Sequence, residues 1–179
     1  MFQKIKSKIL NYILRRELLK FNYPSTLVTL SGAKKIAVLF DVHGEQSIVD
    51  IKFFLKYLLS HNIDVDVWGY IGNSKRQYIS TLHLNYFNHN DLDIFGIPNS
   101  NRMKLFLQKE FDVCINLSLD NTFATKYITL LSKSKYRIGI YSNNDLDYNF
   151  MLKLKIKTLK YFIKKTIHYL ELIDKNNAK

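Results

Sequence analysis

Apolar positions along the chain follow three spacings, and each spacing predicts a different element. Phe2, Ile5, Ile9 and Ile13, together with Leu10, Leu14, Leu18 and Phe21, recur at three- and four-residue steps. That is the spacing of one helix over residues 1–21, with a broad apolar face and a basic opposite face. Tyr23-Pro24-Ser25 ends it, because proline biases the residue before it away from helical angles, and residues 22–34 read as a connector. Lys35 to Asp41 is a continuous apolar run of strand length, the mark of a strand buried on both faces. A helical pattern follows from about Glu45 to Asn62, with Ile48, Ile51, Leu55, Leu58 and Leu59 on one side. Val65, Val67 and Tyr70 then alternate with Asp66 and Trp68 in a second strand, completing a βαβ unit.

The alternation continues. Leu84–Phe87 is a short strand and Leu92–Pro98 a turn-ended segment, after which Asn99 or Ser100 can cap a helix running to about Lys109. Phe111–Leu117 is a second buried-type strand. Thr122–Ser134 reads as a helix with Phe123, Tyr127, Leu130 and Leu131 inward, and Tyr136–Tyr141 as a strand. Beyond the polar loop 142–149, Phe150, Leu152, Leu154 and Ile156 alternate with Met151, Lys153, Lys155 and Lys157, which predicts a strand with one lysine-rich face. From Thr158 a closing helix turns Leu159, Phe162, Ile163, Thr166, Leu170 and Ile173 inward, with Lys157, Lys160, Lys164, His168 and Lys175 roughly opposite. The expected fold is α/β: one three-layer, Rossmann-like domain over 35–175 with a mostly parallel sheet of five or six strands, right-handed crossovers and the accessory helix 1–21. Residues 150–175 form its lysine-rich end.

Composition agrees with a single packed domain. The chain has 179 residues, 47% of them hydrophobic, enough for a real core, which excludes disordered, collagen-like and disulfide-stapled classes. The single cysteine, Cys114, lies in an apolar run and reads as a buried thiol in a reducing cytoplasm. No window of eighteen uncharged apolar residues exists, so no membrane span is expected. The early lysines and the apolar run after them imitate a signal peptide, but the run stops at Arg15-Arg16-Glu17 without a small-residue cleavage site.

Charge adds more. Lys and Arg number 27 against 15 Asp and Glu, a net of +12. Residues 1–21 hold six basic residues and one acidic, and residues 150–179 hold eight lysines against two acidic residues, whereas the long middle is close to neutral. AT-rich codon usage accounts for abundant lysine but not for its concentration at both ends. Two basic ends on a neutral domain point to a polyanionic partner. The helix 1–21 fits three roles: docking on its own domain, facing RNA, or lying on an anionic membrane.

Catalytic signatures are missing. There is no G-x-G-x-x-G after the first strand, no Walker A loop, no H-E-x-x-H and no paired C-x-x-C, so no cofactor is expected. Glu45, early in its helix, would repel a phosphate at the favourable end of the dipole. Open α/β sheets bind ligands beyond the carboxyl ends of their strands, which singles out Asp41, His43 and Glu45 at one end and Asn116, Ser118 and Asp120 at another. His43 and Glu45 could form an acid/base pair. They also read as an exposed loop histidine and an early-turn carboxylate, with Asp120 as a turn or cap. The histidines show no metal-ligand spacing, and no metal is expected.

Lys34 to Ile48, with Phe111–Leu117 followed by a helix and Tyr136-Arg137-Ile138-Gly139-Ile140, resembles the N-terminal Rossmann-like half of heptosyltransferase-type glycosyltransferases over roughly residues 34–141. The resemblance implies a catalytic base at Glu45, after Gly44, and a match of the family's R-I-G segment by Arg137-Ile138-Gly139. It also implies a second Rossmann half bearing the nucleotide-sugar site, which a partner chain would have to supply. The overall layout, with the Tyr161-Phe162-Ile163 and His168-Tyr169-Leu170 segments, resembles a family of small basic α/β proteins of Bacteroidota to which no activity is attached. The leading expectation is non-enzymatic binding of a polyanion, structured RNA such as ribosomal RNA, through Lys4, Lys8, Arg15, Arg16, Lys153, Lys155, Lys160 and Lys164. The alternatives are a glycosyltransferase-like half working with a protein partner through Asp41, His43 and Glu45, and a peripheral protein on anionic membrane.

Overall fold

A computed structural model describes residues 2–21, 23–74, 76–120, 122–142 and 148–177, with side chains from Lys8 onward. The elements are α1 (Phe2–Lys20), β1 (Lys35–Asp41), α2 (Glu45–Ser60), β2 (Asp64–Tyr70), β3 (Leu84–Phe87), α3 (Asn101–Gln108), β4 (Glu110–Asn116), α4 (Phe123–Leu131), β5 (Lys133–Ile140), β6 (Phe150–Leu152) and α5 (Leu159–Asn177). Six strands form one sheet in the order β3-β2-β1-β4-β5-β6, and every neighbouring pair is parallel.

The two unbroken apolar runs take the centre because they alone can give up water on both faces. Ile36, Val38 and Phe40 of β1 pack with Ile51, Phe54 and Leu58 of α2 and with Phe162, Ile163 and Leu170 of α5. Ala37 and Leu39 point the other way, into a second cluster with Met103 and Phe106 of α3 and Ala124 and Ile128 of α4. Alternate residues of one strand thus anchor two helical layers. The connector is fastened rather than loose: Thr26 donates its amide to Lys135 O at 3.0 Å, Ser31 Oγ donates to Asp174 Oδ1 at 2.6 Å, and Asp112 accepts the amides of Lys34 and Lys35.

Three expectations change. α4 stops at Leu131 because β5 already starts at Lys133. Its inward set also differs: Ala124 and Ile128 meet the sheet, whereas Tyr127 and Leu130 pack with Leu14 of α1. Helix α1 covers the outer face of α4, so the amphipathic pattern of α4 reports two burial surfaces at once. The predicted strand from Phe150 ends at Leu152, although alternation runs on to Lys157; past Leu152 the chain leaves β5, and Ile156 is exposed.

Val38 and Ile115 are fully buried in adjacent central strands. An unpaired carboxylate there costs several kcal/mol against a total stability of roughly 5 to 15 kcal/mol. Val38→Asp and Ile115→Asp are each expected to abolish the cooperative thermal transition seen by circular dichroism. Melting of both variants near wild type would reject the central placement of these strands.

Candidate functional site

The sheet order reverses between β1 and β4, and such a reversal leaves a crevice beyond the carboxyl ends of the two strands. Asp41 closes β1 and Asn116 closes β4. Register is kept past both ends, since Leu117 N donates to Leu39 O at 2.7 Å and Val42 N to Tyr70 O at 2.9 Å. Gly44, at the entry to α2, has φ 106°, a left-handed conformation that glycine adopts without a Cβ penalty. It lets the chain turn from β1 into the helix within three residues.

Asp41 is buried, yet it ends a strand at the mouth of the crevice. Its Oδ2 accepts hydrogen bonds from Ser118 Oγ and, at 3.0 Å, from Thr122 Oγ1. Ser118 is placed for this by Asn116, whose Oδ1 accepts the Ser118 amide at 3.0 Å and whose Nδ2 donates to Tyr148 Oη at 2.9 Å. Tyr148 in turn needs Gly139, where a Cβ would stand 2.5 Å from its ring. Burial lifts the Asp41 carboxyl above the usual carboxylate range, against the opposing effect of the Ser118 and Thr122 hydroxyls and of His43. His43 Nε2 lies 3.4 Å from Asp120 Oδ2. Asp41, His43 and Asp120 each bring one potential ligand atom to within 4.8 Å of the others.

A pocket of about 200 Å³ adjoins this cluster, lined by Leu10, Tyr70, His89, Gly96, Thr122 and Phe123 among others. His89 Nδ1 is paired with Tyr70 Oη at 2.8 Å. Next to the lining residue Leu92 along the chain, the buried Asp91 accepts Arg102 Nε at 2.7 Å, a second bond from Arg102 Nη2, and the Asn88 amide at 3.0 Å. Burial acts to raise the Asp91 carboxyl, but the hydrogen bonds from Arg102 and Asn88 outweigh it and hold the group below its ordinary range. Glu45 sits exposed at the start of α2 and is paired with Arg76, outside the converging set.

The basic residues divide between two faces. Lys8, Arg15 and Arg16 are exposed on α1, which covers α4; the side chain of Lys4 lies outside the described residues. Lys153 and Lys155 line a cleft of about 370 Å³ at the β6 edge with Lys165, Tyr161, Tyr169 and Phe150. Lys160 and Lys164 instead flank an apolar groove of about 330 Å³ between α2 and α5, with Val49 and Phe53. The four lysines expected to act together thus belong to two clefts, and Lys165 joins Lys153 and Lys155 in one of them. The signal was present: Tyr161, Lys165 and Tyr169 are four residues apart along α5, hence on one helix face. His43, Asp41 and Asp120 were each singled out, but only the β1–β4 pairing reveals that they meet.

A parallel sheet in this order, flanked by helices on both faces and open at its reversal point, defines a doubly wound, Rossmann-like α/β domain. The chain belongs to DUF6913, a family of unknown function, whose model matches residues 6–173. No curated protein and no solved structure matches it. Among the described residues no helix is long and apolar enough to cross a membrane.

Two consequences are measurable. Ser118→Ala removes a hydroxyl donor from a buried carboxylate and is expected to cost about 1.5–3 kcal/mol in urea unfolding; a loss under about 0.5 kcal/mol would show that Asp41 does not depend on it. Because Asp91 has a depressed folded pKa, its contribution is present above the unfolded value of 3.8 and is lost as pH falls through the lower folded value. Arg102→Met should lower stability at neutral pH and narrow its gap to wild type as the pH falls below 3.8. A pH-independent gap would contradict the pairing.

Proposed function

We propose that the protein binds RNA non-enzymatically through the cleft between β6 and α5. The observation that carries this reading is the combination of charge and rings in one place: Lys153, Lys155 and Lys165 share the cleft with Tyr161 and Tyr169. Lys165 Nζ stands 5.7 Å from the Tyr161 ring centroid, and Lys153 Nζ stands 5.7 Å from that of Tyr141. Lysines neutralise phosphates without reading sequence, and aromatic rings stack on bases freed from a helix; Tyr161 and Tyr169 are half-buried in the cleft. Unstacked bases occur in the loops of structured RNA, which is the partner the cleft suits. α5 lies on the opposite side of the sheet from α4, on whose outer face α1 packs, so the basic residues of α1 form a separate, auxiliary patch.

The alternative transferase half would place a base at Glu45, and that carboxylate is engaged by Arg76. Calorimetry with nucleotide-sugars tests that reading by itself.

For the RNA reading, the measurement is fluorescence anisotropy with a stem-loop RNA across a salt series. Replacing Lys153, Lys155 and Lys165 with Gln keeps the apolar packing and should flatten the log–log salt slope by about 0.7–0.9 for each phosphate no longer neutralised. Tyr161→Ala should weaken binding by about 1–3 kcal/mol without altering that slope. Lys160→Gln with Lys164→Gln should change little. Equal binding by wild type and the triple variant would exclude this cleft, and capture by anionic liposomes dependent on α1 would favour the membrane reading instead.

A further inference from the structure

We propose that Asp41, His43 and Asp120 form a site for one divalent transition-metal ion at the crevice between β1 and β4, independent of the RNA-binding reading. The geometry is the starting point. Their ligand atoms lie within 4.8 Å of one another, and His43 Nε2 and Asp120 Oδ2 are 3.4 Å apart. Two ligands held at about 2.1 Å from one tetrahedrally coordinated ion are separated by roughly that distance.

A second observation is independent of the clustering. Asp41 is 7% exposed, its Oδ2 is committed to Ser118 and Thr122, and its Oδ1 is buried with no hydrogen-bond partner among the described residues. A buried carboxylate oxygen without a donor is costly unless a cation satisfies it. Asp120 brings a second carboxylate close to the first, and like charges at that range repel until a cation lies between them. The Ser118 and Thr122 bonds then act as outer partners that orient the ligand carboxylate.

Donor chemistry narrows the ion. One imidazole and two carboxylates are harder than the thiolate sets that favour Cu(I), and the imidazole disfavours Ca²⁺ and Mg²⁺; Mn²⁺, Fe²⁺ and Zn²⁺ fit. His43 and Asp120 lie on the two loops that follow β1 and β4, so each strand end delivers its own ligand.

The test uses full-length protein freed of nucleic acid and stripped with chelator. Mn²⁺ is titrated and followed by the loss of its free-ion electron paramagnetic resonance signal, and Zn²⁺ and Mg²⁺ are titrated by calorimetry. The expected result is saturable binding of one Mn²⁺ or Zn²⁺ per chain, with Mg²⁺ much weaker. His43→Gln and Asp120→Asn should each weaken binding by at least about tenfold while leaving the melting temperature of the metal-free protein unchanged, since both side chains are exposed. Asp41→Asn should abolish binding, with its fold checked by circular dichroism. No saturable binding of either transition metal, or binding unaffected by both His43→Gln and Asp120→Asn, would overturn the site.

Discussion

The pairing of β1 with β4 is the constraint on which the rest of the structure depends. Ile36 to Leu39 lie beside Val113 to Asn116 in parallel register, and these residues are shielded on both faces by helices. Nothing local holds them together, because α2, β2, β3 and α3 lie between the two strands along the chain. Their adjacency comes from the burial of apolar side chains that no other segment of the chain can match. Once they are paired, the chain must run outward from the centre in both directions, and the ends of β1 and β4 meet at a crevice. The hydrogen bonds of Asp41 to Ser118 and Thr122 span that junction. A structural contact at the centre of the sheet is thus also the floor of the candidate metal site.

Charge is arranged around this frame rather than within it. The carboxylates of the middle segment are largely spent on internal fastening: Asp112 holds the amides of Lys34 and Lys35 together with Lys135 Nζ, Asp66 holds Trp68 Nε1 and Lys109, and Asp91 holds Arg102. The excess of basic residues falls on α1, on the segment that follows β6 and on α5, where few carboxylates answer it. The cleft at β6 is therefore basic through where its lysines lie and not through their number alone. Cys114, by contrast, is fully buried and its thiol is pushed up to about 11, a core residue rather than a reactive one.

How much of this was legible in the sequence depends on the range of the contact. β1 and β4 were readable because a strand buried on both faces has to be apolar throughout, and α2 because its apolar stripe meets one surface. α4 misled because α1 covers its second side, so that Tyr127 and Leu130 look as inward as the sheet-facing Ala124 and Ile128. The end of β6 at Leu152 is not legible in the alternation, which describes side-chain chemistry and says nothing about whether a partner strand continues. The lysine–tyrosine cleft was half visible: Tyr161, Lys165 and Tyr169 lie at helical spacing, but their meeting with Lys153 and Lys155 needs the turn between β6 and α5. The cluster of Asp41, His43 and Asp120 joins two loops through the sheet, a relation that no local spacing encodes.

The central functional claim is that the chain meets RNA at the β6–α5 cleft, and the most direct measurement is ultraviolet crosslinking of the complex followed by peptide mass spectrometry. Tyrosine rings stacked on bases crosslink where they touch, so the position of the adduct locates the interface without any substitution. Adducts on Tyr161 or Tyr169 are the predicted result. Adducts confined to Tyr12 on α1, or none on the segment 150–169 at saturating RNA, would contradict it.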